Sequence, residues 1–126
     1  MSYAILICDD DPDTRGAMKR TLRDHDITEV GSPRDALAMM KTKAFAAVIS
    51  DFTLEADTDG LDLLQHVRIQ YPDTVRILVT GNRDMQVAAR AVNEGAVDRY
   101  FSKPWDDDNL RDALEILLRS RQRSAS

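Results

Sequence analysis

The sequence has little of several residue types, and each shortage excludes a class of protein. It contains one cysteine, Cys8, so no internal disulfide can form, which fits a reducing cytoplasm. No apolar run approaches the length of a membrane span, and Met1 to Tyr3 carry no basic start of a cleavable signal. Basic residues are outnumbered by acidic ones, 17 to 22, and the formal charge of -5 argues against binding to nucleic-acid backbones. The expectation is a cytoplasmic protein that binds neither membranes nor nucleic acid directly.

What the sequence does have is the composition of an ordinary globular domain. Its 126 residues are 43% hydrophobic and 31% charged, which is enough for one hydrophobic core. There is no internal repeat, low-complexity block or internal linker. One domain is expected over residues 1–120, with 121–126 as a frayed polar tail or the start of a linker.

Five short runs rich in apolar residues predict five strands, of which the first and third read as buried and the second is weak. The runs are Tyr3–Cys8, Ile27–Gly31, Phe45–Ser50, Val75–Thr80 and Val97–Phe101. Each is followed by a longer stretch of helical period, and this alternation predicts a parallel sheet with helices on both faces. Right-handed crossovers reduce the possible topologies to a doubly wound α/β sheet.

Cap and breaker residues locate the helices between these strands. Asp11 and Ser32 are candidate N-caps, and each is followed by a proline that suits the first helical turn. Gly95 is placed as the residue just beyond the end of the fourth helix. The predicted helices are Pro12–Arg23, a helix beginning at Pro33, Asp59–Ile69, Arg83–Glu94 and Asp106–Arg119.

Chemically active side chains stand at the carboxyl ends of four of the strands. Asp9 and Asp10 follow the first, Asp51 the third, Thr80 ends the fourth and Lys103 follows the fifth. In a doubly wound sheet these ends meet in one crevice. Gathered carboxylates repel each other, so a hard divalent cation such as Mg²⁺ is expected to hold them together.

The same residue types suit phosphoryl transfer. A carboxylate can act as a nucleophile and form an aspartyl phosphate. That reaction needs mainly positioning and charge neutralisation. A metal ion, the lysine and the hydroxyl of Thr80 supply those parts.

Three motifs make this sequence resemble the receiver family of bacterial response regulators. They are ILICDDDP (Ile5–Pro12), ILVTG (Ile77–Gly81) and KPW (Lys103–Trp105), with Asp51 between the first two. The resemblance covers about the whole chain and implies a five-stranded flavodoxin-like sheet of order 2-1-3-4-5. It implies a phosphoacceptor switch of a two-component phosphorelay, which is not an enzyme beyond its own phosphorylation and dephosphorylation.

The resemblance also implies the metal site and the partners. Asp51 would be the phosphoacceptor, and Mg²⁺ or Mn²⁺ would be held by Asp9, Asp10, Asp51 and the backbone carbonyl of Thr53. A histidine kinase or histidine phosphotransfer protein would donate the phosphoryl group. The response would pass to a downstream output domain or protein, with a phosphorylation-dependent homodimer as a further possibility.

Five more positions take roles from the same resemblance. Thr80 would hydrogen-bond the phosphoryl group, Gly81 would leave space beside it and Lys103 would neutralise a phosphoryl oxygen. Pro104 would follow a cis peptide bond, which proline allows. Tyr100 stands where the family keeps an aromatic switch residue, and it would follow Thr80 when Thr80 moves inward.

Two stretches refine or disturb this resemblance. Asn93–Leu114 is similar to receivers fused to HD-GYP-type phosphodiesterases or to hydrogenase-type transcription regulators. After the phosphoacceptor most receivers have a proline four residues on and an Asp-Gly pair ending eight on. Here Glu55 stands at the proline position, and Asp59-Gly60 ends nine on. The longer, acidic loop bears on metal affinity and on phosphoryl lifetime.

Two other functions stay open at this point. In a haloacid-dehalogenase-type phosphatase, Asp9 would be the nucleophile and Asp11 the second acid, with Thr80 and Lys103 as companions. Against it, Pro12 follows Asp11, and the expected further acidic pair has no strand after the lysine. A non-phosphorylated pseudo-receiver would use the fold as an interaction surface only, and the intact acidic set argues against it.

Several of these residues also have ordinary structural explanations. Asp11 suits a helix cap, and Thr80 suits any strand end. Tyr100 fits half-buried strand packing, Trp105 fits packing at a helix start, and Cys8 fits a small buried hydrophobe. The two histidines have no partners at ligand spacing and are expected at the surface.

Overall fold

The computed structural model describes residues 2–52, 60–81 and 85–125, with side chains up to residue 121. Within these ranges strands and helices alternate along the chain. The strands are β1 (Ala4–Cys8), β2 (Asp26–Val30), β3 (Ala47–Asp51), β4 (Val75–Thr80) and β5 (Arg99–Ser102). The helices are α1 (Pro12–Thr21), α2 (Pro33–Thr42), α3 (Gly60–Gln70), α4 (Met85–Asn93) and α5 (Asp107–Ala125).

The strands form one parallel sheet in the order β2-β1-β3-β4-β5. In its register, Ile5 on β1 lies between Ile27 on β2 and Ala47 on β3. The chain crosses from one side of β1 to the other between β2 and β3, and this reversal opens a crevice at the carboxyl ends of the strands. The predicted doubly wound sheet of order 2-1-3-4-5 is therefore confirmed.

Each face of the sheet has its own hydrophobic core because side chains alternate along a strand. On β1, Leu6 and Cys8 pack with residues of α2, α3 and α4, whereas Ile5 and Ile7 pack with residues of α1 and α5. All four are essentially inaccessible to solvent. A fully buried aliphatic side chain contributes about 1.5–3 kcal/mol, so burial on both faces fixes the strands whose ends carry the polar residues.

The first two helices begin as the cap residues predict. The Asp11 carboxylate accepts a hydrogen bond from the Asp13 amide at 3.1 Å, and Ser32 Oγ accepts one from the Asp35 amide at 3.1 Å. Each cap satisfies an amide that has no partner inside its helix. A proline occupies the first turn of both helices.

Several boundaries differ from the prediction, and β3 and β5 each begin two residues later than expected. Helix α1 ends at Thr21, two residues before Arg23. Leu22 caps it, because the Leu22 amide donates a hydrogen bond to the Met18 carbonyl. Strand β3 includes Asp51 as its last residue. Helix α5 continues to Ala125, so the expected end near Arg119 was wrong, while the assignment of residues 121–126 to a tail or linker stays a prediction.

The fourth helix ends where predicted. Gly95 has a φ of 79°, a left-handed conformation that glycine adopts without strain and that closes a helix at this position. The third helix packs against the sheet through Leu63, Leu64 and Val67, which are buried. Leu61, which the helical spacing also predicts to face inward, is only partly buried.

Candidate functional site

Four strand ends bring the predicted site residues together. Asp9 directly follows β1, Asp51 ends β3, Thr80 ends β4 and Lys103 directly follows β5. The register pairs Asp51 with Val79 and Thr80 with a residue of β5, so all these positions lie at one edge of the sheet. This edge is called the carboxyl edge below.

Three carboxylates converge at the carboxyl edge. One oxygen from each of Asp9, Asp10 and Asp51 lies within 4.8 Å of the others. Asp9 and Asp51 are buried, and Asp10 is exposed, so the cluster is closed below and open to solvent above. Hard divalent cations prefer oxygen ligands of this kind, and Mg²⁺ keeps waters on its open side. The donor set therefore fits Mg²⁺.

Lys103 supplies a positive charge between two of these carboxylates. Its Nζ lies 3.0 Å from Asp51 Oδ1 and 3.2 Å from Asp9 Oδ2. Its backbone amide donates to the Thr80 carbonyl at 2.8 Å, and the bond to Pro104 is cis. The predicted cis peptide is therefore present, and Lys103 is held at both its backbone and its side chain.

The charges at this edge shift two pKa values. Burial raises the pKa of the Asp51 carboxyl; the hydrogen bond and charge of Lys103 oppose this, while Asp9 and Asp10 add to it. Burial lowers the pKa of the Lys103 ammonium, but its bond to Asp51 and the nearby carboxylates outweigh that effect, so the pKa lies above 10.5. One lysine therefore balances the cluster only in part, and a further cation would favour the ionised Asp51.

Gly60 allows the backbone of Asp51 to sit where it does. A Cβ on Gly60 would lie 1.8 Å from the Asp51 carbonyl oxygen and 2.8 Å from Ser50 Oγ. The Gly60 amide donates to the Phe52 carbonyl at 2.8 Å, and Ser50 Oγ donates to the Asp51 carbonyl at 2.9 Å. Sequence reasoning used Gly60 only to mark the loop length and missed this close approach.

Arg15 is a second supporting residue that the sequence did not reveal. Its Nη1 donates to the Asp9 carbonyl at 2.7 Å, and its Nε pairs with Glu29 at 3.1 Å. The Asp11 amide in turn donates to Asp9 Oδ1 at 2.9 Å. Asp9 is thus oriented by neighbours on α1 and β2, contacts that depend on the fold.

Asp11 itself serves the helix. Its carboxylate accepts from Thr14 Oγ1 at 2.8 Å as well as from the Asp13 amide, and these hydrogen bonds lower its pKa. The ordinary interpretation of Asp11 as an N-cap is therefore confirmed.

The predicted switch residues, Thr80 and Tyr100, lie on the neighbouring strands β4 and β5. Thr80 is fully buried, and its hydroxyl donates to the Gly81 carbonyl at 3.3 Å. A Cβ on Gly81 would meet no atom of the described residues within 4 Å. Tyr100 is partly buried, packs against the core under α4 and lines a groove with Met85 and Val92. Their switch roles stay predictions.

Some of the predicted residues lie outside the described ranges, and others have an ordinary structural role. Thr53, Glu55 and Asp59 are not among the residues that the structure describes. Cys8 is fully buried, and burial raises the pKa of its thiol to about 12, which fits a small hydrophobe. Trp105 packs against a core as expected but also forms polar contacts that packing alone does not require.

Comparison with known proteins points in one direction. A family model described as the response regulator receiver domain matches residues 5–115. The C4-dicarboxylate transport transcriptional regulatory protein DctD of Rhizobium meliloti is 35% identical over 109 residues, which make up 85% of this chain and 23% of that protein. The hydrogenase transcriptional regulatory protein HoxA of Bradyrhizobium diazoefficiens is 29% identical over 112 residues, which make up 88% of this chain and 23% of that protein.

A solved structure shares the fold over nearly the whole chain. The signal receiver domain of an HD domain-containing protein from Pseudomonas fluorescens Pf-5 superposes with a TM-score of 0.89 at 32% identity. The match covers 98% of this chain and 92% of that one. This chain spans about a quarter of the length of the curated relatives it matches. None of the helices in the described ranges combines the length and apolar character that a bilayer crossing requires.

Proposed function

Because this chain belongs to the response regulator receiver family, we propose that it switches its surface when Asp51 accepts a phosphoryl group in a reaction that requires Mg²⁺. Receivers are regulatory domains of two-component systems, so the predicted regulatory role is confirmed at that level. The observation that carries the specific proposal is the cluster of Asp9, Asp10 and Asp51 with Lys103 bound between two of them.

The chemistry assigned to Asp51 is an in-line displacement at phosphorus. One of its carboxylate oxygens forms the new O–P bond while the P–N bond to the donor histidine breaks, and the histidine nitrogen takes up a proton. Lys103, 3.0 Å from Asp51, neutralises charge on the transferred group. Asp9, Asp10, Asp51 and the Thr53 carbonyl would hold Mg²⁺ or Mn²⁺, which supplies further charge neutralisation when bound.

The state of Asp51 before the reaction explains why a metal is needed. Burial raises the pKa of its carboxyl, and two neighbouring carboxylates add to that shift. The same gathered negative charge repels an incoming phosphoryl group, and a divalent cation bound among the three carboxylates would reduce that repulsion. We therefore expect little reaction without the cation.

The proposed response begins at the end of β4. Thr80 would move toward the phosphoryl group, and Gly81 leaves room for this movement. Tyr100 would then turn toward the core and change the surface of α4, β5 and α5. Partners of the proposal are a histidine kinase or histidine phosphotransfer protein, a downstream output domain or protein, and a second phosphorylated copy at that surface. A cytoplasmic location belongs to the same proposal.

The test is phosphorylation by acetyl phosphate, with and without Mg²⁺, followed by mapping of the modified residue. We expect label on Asp51 only when Mg²⁺ is present. Asp51→Asn should abolish the label and leave the circular dichroism spectrum unchanged. Asp73→Asn is the matched control, since it removes an exposed carboxylate away from the site and should be labelled like the parent protein.

The other outcomes separate the competing functions. Label on Asp9, with turnover of phosphoesters, would support a haloacid-dehalogenase-type phosphatase and contradict the proposal. The family assignment already argues against that alternative. A complete lack of label in the parent protein would leave a pseudo-receiver, with the acidic loop after Asp51 as the first region to shorten.

A further inference from the structure

The segment between β5 and α5 carries Lys103 and is held at its two ends by different contacts. At one end the Lys103 amide donates to the Thr80 carbonyl at 2.8 Å. At the other end the side chain of Trp105, two residues after Lys103 and across the cis bond to Pro104, reaches helix α1. The position of the lysine therefore depends on what Trp105 contacts.

Trp105 joins a compact polar cluster with one residue of α1 and one of α5. Its Nε1 lies 3.1 Å from Thr21 Oγ1 and 3.0 Å from Asp107 Oδ1. Thr21 Oγ1 lies 2.7 Å from the same Asp107 oxygen. The indole N–H can donate to both oxygens while the Thr21 hydroxyl donates to the carboxylate. We call these three residues the indole tie.

The indole tie links parts of the chain that both lead to the carboxyl edge. Helix α1 starts directly after the acidic residues that follow β1, and Thr21 is its last residue. Thr21 is buried, and its carbonyl also accepts from Arg111 Nη1 on α5 at 3.4 Å. The tie thus fastens the end of α1 to the segment that carries Lys103.

The Thr21 hydroxyl has another acceptor, so its bond to Asp107 is not forced. It lies 3.1 Å from the Ala17 carbonyl of its own helix, the usual partner for a helical threonine, but only 2.7 Å from the Asp107 carboxylate. A hydrogen bond to an ionised acceptor is about twice as strong as a neutral one. The hydroxyl therefore serves the contact between helices, and packing of the Trp105 ring alone does not account for the arrangement.

We propose that Trp105 is a positioning residue, which acts through the indole tie to keep the Lys103 ammonium between Asp9 and Asp51. This inference rests on the proposed phosphoryl transfer to Asp51. Without the tie, the segment would keep the Thr80 contact but lose its anchor on α1, and the lysine would sample positions away from the carboxylates. The three aspartates are not on this segment, so the metal ligands would keep their places, and a displaced ammonium would compete less with the cation for Asp9 and Asp51.

The test uses two variants that keep side-chain bulk and remove hydrogen bonds. Trp105→Phe keeps an aromatic ring without the N–H, and Thr21→Val keeps the shape without the hydroxyl. Thr42→Val is the matched control, because the Thr42 hydroxyl donates to the Met39 carbonyl of its own helix α2, at 3.0 Å. Thermal melts establish that each variant is folded at the assay temperature.

Two measurements follow the lysine and the reaction separately. The first is the rate at which acetic anhydride acylates Lys103, relative to exposed Lys41 in the same molecule, measured by mass spectrometry without any phosphodonor. The second is the rate of acetyl phosphate labelling of Asp51 as a function of Mg²⁺ concentration. Both tie variants should show Lys103 acylated roughly tenfold faster and Asp51 labelled roughly tenfold more slowly, the size of a lost charge-assisted hydrogen bond.

The Mg²⁺ concentration that gives half the maximal labelling rate should stay the same or fall, because the metal ligands keep their places while the competing ammonium moves away. The double variant Trp105→Phe/Thr21→Val should be no worse than either single one, because both remove the same tie. Thr42→Val should behave as the parent protein in both assays.

The outcomes against the proposal are equally specific. Parental acylation and labelling rates in both tie variants would overturn it. So would an equal loss in Thr42→Val, or a rise in the Mg²⁺ concentration that gives half the maximal labelling rate. If the parent protein takes no label, the proposed function fails, but the Lys103 acylation ratio still decides whether the tie positions the lysine.

Discussion

The two edges of the sheet gather charge in opposite ways. At the carboxyl edge three carboxylates lie within 4.8 Å of one another, and Lys103 contacts two of them. The opposite edge, where the strands begin, is called the amino edge. There the Asp98 carboxylate accepts a hydrogen bond from the Arg76 amide at 2.8 Å and pairs with Arg121 at 2.5 Å. The guanidinium of Arg76 donates to the carbonyls of Pro72, Thr74, Gly95 and Ala96.

The difference separates structural charge from functional charge. Arg76 is almost fully buried, and burial lowers the pKa of its guanidinium, yet several acceptors and the charge of Asp98 compensate it. The exception among the described residues at this edge is Arg121 Nε, which is buried without a hydrogen-bond partner. Among the described residues at the carboxyl edge one lysine stands against three carboxylates, and the remaining negative charge is what a bound cation can balance.

The largest change in the free energy of unfolding is expected when a glycine near one of the two edges is replaced. Gly60→Ala should lower the free energy of unfolding by about 3 kcal/mol, because the new Cβ would overlap the Asp51 carbonyl. Gly95→Ala near the amino edge should cost only about 1 kcal/mol, since it meets the Arg68 guanidinium at an ordinary 3.5 Å and suffers mainly from its positive φ. Urea unfolding followed by circular dichroism measures both. Equal losses would mean that the close approach at Gly60 is not a constraint.

An intermediate effect is expected when the balanced edge loses its carboxylate. Asp98→Ala leaves Arg121 without its partner and the Arg76 amide without its acceptor, so the free energy of unfolding should fall by about 2 kcal/mol. The same urea experiment applies, with Asp73→Ala as the exposed control. A loss no larger than that of the control would contradict the view that this edge is structural.

The smallest effect should have the opposite sign. Asp51→Asn removes a carboxylate whose pKa is raised on folding, so in metal-free buffer at pH 7 it should increase the free energy of unfolding, on the order of 1 kcal/mol. An ionised acid with a raised folded-state pKa destabilises the fold above that pKa and ceases to do so below its ordinary value of 3.8. The advantage of Asp51→Asn should therefore shrink as the pH falls from 7 toward 4.

Denaturant titrations of the parent and of Asp51→Asn, at matched pH values with a chelator present, test this expectation. A variant that is less stable than the parent at pH 7 would show that the ion pair with Lys103 outweighs the burial of the Asp51 carboxylate. The two edges would then be more alike than their contacts suggest.

The sequence predicted the fold well because its signals are local. The proline after Asp11 and the proline after Ser32 mark helix starts, and the first and third strands lie in nearly uninterrupted apolar runs. Asp9 and Lys103, 94 residues apart, could be placed together because parallel strands bring their carboxyl ends to one edge. The family resemblance added the strand order and the cis bond before Pro104.

What the sequence did not reveal depends on contacts between distant segments. Nothing near Gly60 announces that it lies against Asp51, and nothing near Arg15 indicates a bond to the Asp9 carbonyl. The end of α5 was predicted too early in the sequence because Asp98, the partner of Arg121, lies 23 residues before it. Trp105 was assigned to packing because an indole N–H is invisible in a hydrophobic pattern.

Helix α5 connects the two edges as one rigid lever. Asp107 belongs to the indole tie, and Arg121, fourteen residues on, reaches Asp98 at the amino edge. Those residues span roughly 21 Å, so a tilt of about 5° at the tie would displace the far end by about 2 Å. That displacement is enough to break a 2.5 Å contact. The Arg121–Asp98 ion pair would therefore hold α5 in place until the change of angle at the indole tie is large enough to break it.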